Sequence, residues 1–188
     1  MHPGAEAYLD PEMARVKAKR RRRPFRFMGR LLAGLLLLNL LAVVPLRWIN
    51  PPTTSFILQD GAAREKWVHR RWTPLEDISA HLPLAVIAAE DQKFPLHHGF
   101  DFQAIQSALD EKHRRRGAST ISQQLVKNLY LWPGRSLVRK GIEAWLTLIM
   151  EVAWPKARIM EIYLNTVEFG PRTYGVTSAG KRFFGRSP

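Results

Sequence analysis

The 188-residue chain contains no cysteine, which excludes disulfide bonds and thiolate metal sites. It has no internal repeat or low-complexity tract, and the alternation of Val, Ile and Thr that predicts β-strands is almost absent. Acidic residues are few, 16 against 29 lysines and arginines, so the net charge is +13. This charge favours an anionic partner, which could be nucleic acid, lipid headgroups or a phosphorylated substrate. The length allows one domain of about 100–150 residues and no second large one.

Many of the basic residues precede one apolar run at residues 31–46. Nine come before it: Arg15, Lys17, Lys19, Arg20, Arg21, Arg22, Arg23, Arg26 and Arg30. The run has 16 residues, and Phe27, Met28, Trp48 and Ile49 extend it to 23, enough for a bilayer core that needs roughly 20. The positive charge on one side predicts that the N-terminus is cytoplasmic and that everything after Trp48 lies across the membrane.

Two other interpretations of this segment stay open. A cleaved signal peptide also begins with positive charge and an apolar region, but this region is long and no small-x-small cleavage pattern follows it. The arginines could instead form a nucleic-acid-binding arm. Their position against the apolar run favours the membrane.

The pattern after the anchor predicts a tether and then one mainly α domain. NPPTTSF has two prolines and three hydroxyl residues, which suits an extended linker. Apolar residues recur at three-to-four spacing from about Trp67 onward. We predict a basic cytoplasmic tail (1–27), a transmembrane signal anchor (28–49), an extracytoplasmic tether (50–66) and a folded domain (67–188).

Glu90 opens the run EDQKFPLHHGFD and follows the apolar segment PLAVIAA. At the end of an apolar helix, partial desolvation of a carboxyl suits a general base, and Asp91 would keep the site polar. An isolated Glu-Asp pair more often only closes a helix in solvent. Phe94, His97 and Gly99 at fixed offsets favour a functional turn instead.

A second run, GASTISQQLVKN, begins 27 residues after Glu90. Thr120 followed by a glutamine three residues later predicts a capping box, and free amides at such a helix start attract an anion. The candidate ligands of that anion are Ser119, Thr120, Gln123, Gln124 and Lys127. The alternative is a plain capped helix.

Two further groups carry charge. Arg139, Lys140 and Glu143 begin a long helix that Ser136 is predicted to cap, and an intrahelical salt bridge, worth about a few tenths of a kcal/mol if exposed, is the simpler interpretation. The basic cluster Lys112, His113, Arg114, Arg115 and Arg116 predicts a mobile loop suited to lipid headgroups or phosphate.

Five blocks, in this order, resemble the signature motifs of the peptidoglycan glycosyltransferases in their monofunctional, single-span form. They are EDQKFPLHHGFD, GASTISQQLVKN, RKGIE, KARIMEIYLN and FGPRTYGVTSAGKRFFG, and the similarity covers roughly residues 67–188. The resemblance implies a lysozyme-like helical domain that polymerises lipid II on the outer face of the bacterial inner membrane. Members usually continue past the FFG stretch, so we expect the domain to be truncated at its C-terminus.

The resemblance also implies roles for single residues. Glu90 is similar to the catalytic base, which deprotonates the GlcNAc 4-hydroxyl of lipid II. The oxygen attacks C1 of MurNAc at the end of the lipid-linked chain, and undecaprenyl diphosphate leaves with inversion. Glu143 corresponds to a second catalytic glutamate that could orient the donor. Matches to diphosphate and sugar contacts are Thr120, Gln124, Lys127, Arg139 and Lys140, whereas Asp91, Phe94 and His97 match residues that shape the first motif.

No cofactor is required by this resemblance, although Glu143 could act through Mg²⁺ or Mn²⁺. The expected partners are lipid II, the growing glycan chain, the membrane and other wall-synthesis proteins, and not nucleic acid. Two other functions stay open. A lysozyme-like hydrolase must protonate a sugar leaving group and has no use for many cations, and an inactive fragment could act as an anchored scaffold of wall synthesis.

Overall fold

The computed structural model describes residues 11–60, 71–110 and 119–186. The predicted basic loop at residues 112–116 lies outside these ranges. The chain divides into two compact units, Met1–Leu41 and Ala42–Pro188.

The first unit is carried by one long helix, α1 (Pro11–Val43). The stretch Arg26–Arg47 is long and apolar enough to cross a membrane, with a mean hydropathy of 2.1. Its leucines are largely exposed, among them Leu32, Leu38 and Leu41. This finding fits the single-span anchor predicted at residues 28–49.

The second unit is built mainly from short helices, which confirms the mainly α prediction. In chain order they are a 3₁₀ turn (Val44–Arg47), α2 (Ser55–Gln59), a 3₁₀ turn (Leu75–Asp77), α3 (His81–Glu90), α4 (Phe102–Asp110), α5 (Ile121–Tyr130), α6 (Leu137–Ala153), α7 (Lys156–Thr166), α8 (Val176–Ala179) and a π-helical turn (Gly180–Phe184). Strands β1 (Glu168–Gly170) and β2 (Thr173–Tyr174) form an antiparallel hairpin with an irregularity in register. The sequence did not predict this hairpin.

Helix α5 lies at the centre of the core. Its apolar side chains Ile121, Leu125, Val126 and Leu129 are buried at helical spacing. The same core contains Leu146 and Met150 from α6 and Ile159, Ile162 and Leu164 from α7. Each fully buried aliphatic side chain contributes about 1.5–3 kcal/mol, so α5 is fixed on several sides.

The helix caps predicted at Thr120 and Ser136 are confirmed. The Thr120 hydroxyl accepts a hydrogen bond from the backbone amide of Gln123 at 3.2 Å. In return, the side-chain oxygen of Gln123 accepts one from the backbone amide of Thr120 at 3.1 Å. Ser136 caps α6 by accepting from the Arg139 amide at 3.1 Å. Gly185 ends the last helical turn with a φ of +63°, a conformation that favours glycine.

The segment that follows α1 belongs to the second unit, and residues 55–59 form a short helix within the predicted tether. Val43 is fully buried, and the Trp154 indole donates to its carbonyl at 3.0 Å. Arg158 donates to the Leu46 and Ile49 carbonyls, each at 3.0 Å. Farther along, Ile57 of α2 is also fully buried. Thr54 caps α2, because its hydroxyl accepts a hydrogen bond from the Ile57 amide at 3.2 Å.

Candidate active site

Glu90 is the last residue of α3, and its side chain is exposed. This exposure corrects the expectation that the apolar helix would desolvate the carboxylate. The helix ends at this residue, and the next one, Asp91, turns into the protein instead. Glu90 Oε2 accepts a hydrogen bond from Gln124 Nε2 at 2.9 Å, so α5 holds the exposed acid in place.

Asp91 and His97 form a buried pair in the turn that follows Glu90. His97 Nε2 lies 2.9 Å from both carboxylate oxygens of Asp91. His97 Nδ1 accepts from the Gly99 amide at 3.0 Å, so the proton of the neutral ring is on Nε2, which donates to Asp91. The pair therefore closes the turn between residues 91 and 99.

This turn is joined to the start of α5. Asp91 Oδ2 accepts from the Ile121 amide at 3.0 Å, and the Thr120 hydroxyl donates to the Gly99 carbonyl at 2.7 Å. The carboxylate of Asp91 therefore occupies one amide at the helix start, and contact of Ser119, Thr120 and Gln123 with a substrate phosphate stays a prediction. Thr120 and Gln123 are both buried in this junction.

Other predicted substrate ligands of the first motif also face the interior. Phe94 is buried in the core and makes an edge-on contact with the His97 ring, with centroids 6.3 Å apart. Ser119 is half-buried just before the cap, whereas His98 is exposed. Phe94 and His97 thus support the turn that carries Glu90, and direct contact of these residues with substrate stays a prediction.

Gln124 and Lys127 are half-buried and lie three residues apart on α5, so they share one side of the helix. Gln123 does not share it, because its side chain completes the buried cap. Lys127 Nζ lies 5.6 Å from the centre of the Phe56 ring, and no ion pair links it to an acid in the described part of the chain. Gln124 and Lys127 therefore carry an amide and a positive charge along one side of α5.

The third motif forms a compact charged group at the start of α6. Glu143 Oε2 accepts from Arg139 Nη1 at 3.0 Å, and Glu143 Oε1 accepts from Lys140 Nζ. Glu143 and Arg139 are buried, whereas Lys140 is 46% exposed at its side chain. The buried Nε of Arg139 has no hydrogen-bond partner among the described residues. These contacts make the group more than an exposed intrahelical pair.

The divalent cation considered for Glu143 does not fit this arrangement. Both oxygens of its carboxylate already accept bonds from positive side chains, which a metal ion would have to displace. No group of three His, Asp or Glu residues that could hold a metal occurs within residues 11–60, 71–110 and 119–186.

The connection between α5 and α6 brings the cations to one end of a helical hairpin. A short loop joins Tyr130 to Leu137, so the start of α6 lies beside the end of α5. At the other end of the hairpin, Ser122 of α5 donates to Glu151 of α6. Going along α5, the chain thus presents first the amide that holds Glu90, then Lys127, then the group around Arg139.

Sequence reasoning missed three residues that support this site. Tyr163 donates to Gln124 Oε1 at 3.0 Å. Lys156 Nζ lies 2.8 Å from Glu151 Oε1 and 4.5 Å from the centre of the Phe94 ring. Tyr163 and Lys156 both lie in the block KARIMEIYLN, which resembles a family motif but was given no role for either residue.

The sequence is similar to a described protein family and to several of its members. Residues 59–188 match the family model described as Transglycosylase. The biosynthetic peptidoglycan transglycosylase of Shewanella oneidensis is 51% identical over 172 residues, which are 88% of this chain and 74% of that protein. The protein of the same name from Xanthomonas oryzae is 48% identical over 196 aligned residues, covering 97% of this chain and 77% of its own length. The helical domain, its motifs and these relatives together show that the chain belongs to the transglycosylase family.

Proposed function

We propose that this protein polymerises peptidoglycan glycan strands from lipid II, with Glu90 as the general base. The observation that carries the proposal is the hydrogen bond from Gln124 to the exposed Glu90 carboxylate, on the helix that also bears Lys127. This bond ties an accessible acid at the end of α3 to α5, the helix that carries a positive charge. Relatives that are about half identical are named biosynthetic peptidoglycan transglycosylases, which supports the same assignment.

Glu90 has the accessibility that a base needs. Its Oε2 is bound by Gln124, whereas Oε1 has no hydrogen-bond partner within the described residues. Oε1 can take the proton of the GlcNAc 4-hydroxyl as that oxygen bonds to C1 of MurNAc. The bond from C1 to the diphosphate oxygen breaks on the opposite face, so the configuration at C1 inverts.

The cations suit the leaving group. A diphosphate needs charge neutralisation rather than a proton, which agrees with one base and several positive side chains. Lys127 and Lys140 can approach a phosphate oxygen. The buried Nε of Arg139 lacks a protein partner among the described residues, and a diphosphate oxygen would supply the missing acceptor.

The anchor supports the location of this chemistry. Nine basic residues precede the apolar stretch, so the N-terminus is assigned to the cytoplasm and the folded unit to the periplasmic side of the inner membrane. Lipid-linked substrate and growing chain would then be held in the same bilayer as the enzyme. Other wall-synthesis proteins are candidate partners there.

Polymerisation of labelled lipid II by the full chain in detergent tests the function. The wild-type protein is expected to form polymer, and Glu90→Gln to form none while its helical circular dichroism is retained. Glu76→Gln, which changes an exposed acid outside the site, is the matched control. Normal polymerisation by Glu90→Gln would remove the assigned base. Release of reducing-end sugars from peptidoglycan without polymer would select the hydrolase.

Binding of lipid II tests the cations separately. Lys127→Ala and Arg139→Ala are each expected to weaken binding about tenfold at low salt, since a charge-assisted hydrogen bond is worth about 1.5 kcal/mol or more. The difference from wild type should shrink as salt is added. Lys181→Ala removes an exposed lysine on the last helical turn as a control. Unchanged affinity of both site variants at low salt would contradict the diphosphate assignment.

A further inference from the structure

A series of three side chains connects the interior of the domain to Glu90. The phenol of Tyr163 on α7 donates to Gln124 Oε1 at 3.0 Å, and Gln124 Nε2 donates to Glu90 Oε2 at 2.9 Å. Tyr163 is only 3% exposed, whereas Glu90 is exposed. The series therefore runs from a fixed group in the core to the reacting carboxylate.

The phenol and the Glu90 carboxylate together fix which way the amide of Gln124 points. A glutamine side chain has an acceptor oxygen and a donor NH₂ group of nearly the same size, so sterics alone do not choose between the two orientations. A phenol that donates to Oε1 leaves the NH₂ group on the side of Glu90, and an ionised carboxylate can only accept. Burial, and then the charge of Glu90, raise the pKa of Tyr163, so the phenol keeps its proton.

We propose that Tyr163 is a positioning residue for the general base, acting on Glu90 through the amide of Gln124. The inference rests on the proposed function, in which Glu90 takes the proton of the acceptor hydroxyl. By keeping Oε2 bound to Gln124, Tyr163 leaves Oε1 for that hydroxyl. It touches neither substrate nor the reacting atoms, so its removal changes the rate and not the binding of lipid II.

Tyr163→Phe in the full chain tests this, because it deletes one oxygen and keeps the ring in the core. The kcat for polymerisation is expected to fall about tenfold with KM within about twofold of wild type. Tyr130→Phe is the matched control: the Tyr130 side chain is partly buried against the same core, and its hydroxyl donates to the Ala42 carbonyl at 3.1 Å instead of to a residue of the site. Its kcat should stay within about twofold of wild type.

A double-mutant cycle separates positioning from a general loss of packing. In a Gln124→Ala background the connection from Tyr163 to Glu90 is already lost, so adding Tyr163→Phe should change kcat no further. An equal loss in both backgrounds, or an unchanged kcat of Tyr163→Phe alone, would overturn the proposal.

A measurement without turnover keeps this inference distinguishable from the proposed function. In protein labelled with ¹⁵N-glutamine, the side-chain NH₂ resonances of Gln124 should shift on Glu90→Gln, and in the Tyr163→Phe background they should broaden and lose that response. Resonances that respond to Glu90→Gln equally well in both backgrounds would refute the role of Tyr163. Failure of the wild-type chain to make polymer would refute the proposed function, while the resonances would still decide whether Tyr163 orients the amide.

Discussion

His97 Nε2 donates to Asp91 from 2.9 Å, and the same carboxylate accepts the first amide of α5, that of Ile121, at 3.0 Å. One buried acid thus joins the turn after Glu90 to the helix that carries Gln124 and Lys127. The relative position of the base and its neighbours on α5 depends on this junction.

Asp91→Asn tests the junction. The amide has one acceptor oxygen and a donor group, so it cannot accept from His97 and Ile121 as the carboxylate does, and the helix start also loses a compensating negative charge. We expect a loss of about 1–3 kcal/mol in the free energy of unfolding and a fall in polymerisation, because Glu90 is less well placed. Thermal unfolding followed by circular dichroism and the lipid II assay measure these effects.

Asp77→Asn is the matched control, because Asp77 is exposed on the 3₁₀ turn before α3. That variant should unfold and polymerise like the wild type. Equal stability of Asp91→Asn and Asp77→Asn would show that the buried carboxylate does not hold the turn.

Gly99 is expected to be intolerant of a side chain for two separable reasons. Its φ is +91°, which L residues rarely adopt, and an added Cβ would lie 2.8 Å from Thr147 Cγ2. Gly99→Ala should therefore cost about 1–3 kcal/mol for conformation and more for the collision with α6. Urea denaturation of the variant measures the total.

Two variants divide that total. At Gly134, φ is +121° and nothing lies within 4 Å of an added Cβ, so Gly134→Ala reports conformational strain alone. Thr147→Ser removes Cγ2 but keeps the hydroxyl that donates to the Glu143 carbonyl at 2.7 Å. It should restore part of the stability of Gly99→Ala, and no restoration would show that the collision is not a source of the loss.

In the charged group at the start of α6, substitution of Glu143 and substitution of Lys140 are expected to lower the free energy of unfolding by different amounts. Glu143→Gln would leave the buried guanidinium of Arg139 without its anion, which costs about 3 kcal/mol when a buried pair is broken. Lys140→Gln should cost less than about 1 kcal/mol, since its side chain is 46% exposed. Urea denaturation measures the free energy of unfolding of both variants. Equal losses would mean that the ion pair of Glu143 with the buried arginine stabilises the protein no more than its ion pair with the exposed lysine.

Local sequence signals predicted the elements that carry the site. The capping box at Thr120 and the cap at Ser136 follow from side chains acting on adjacent backbone, so the helix starts at these points are confirmed. The blocks that resemble the glycosyltransferase motifs placed Glu90 and Gln124 among the candidate residues. The structure puts these two in direct contact.

The remaining differences arise from contacts between distant segments. No local signal indicates that Asp91 fills the start of α5, or that Tyr163 contacts Gln124, because each bond joins residues 30 or more positions apart. The hairpin at Glu168–Gly170 and Thr173–Tyr174 is too short to show an alternating period. The tether at residues 50–66 was predicted from composition, which does not indicate that Ile57 is buried.

Alkaline pH is expected to destabilise the domain through two tyrosines. Burial raises the pKa of Tyr130, and burial together with the charge of Glu90 raises that of Tyr163, above the ordinary value of 10.0. Below pH 10 both phenols are protonated in the folded and the unfolded state, so they contribute no pH dependence. As the pH rises above this value the unfolded chain loses protons that the folded chain retains, and the free energy of unfolding falls.

Ultraviolet absorbance of tyrosinate and urea denaturation at about pH 9 and about pH 11 measure the ionisation of the tyrosines and the loss of stability. The double variant Tyr130→Phe/Tyr163→Phe should lose less stability between these conditions than the wild type, and ionisation of all four tyrosines near pH 10 in the folded protein would contradict the expectation.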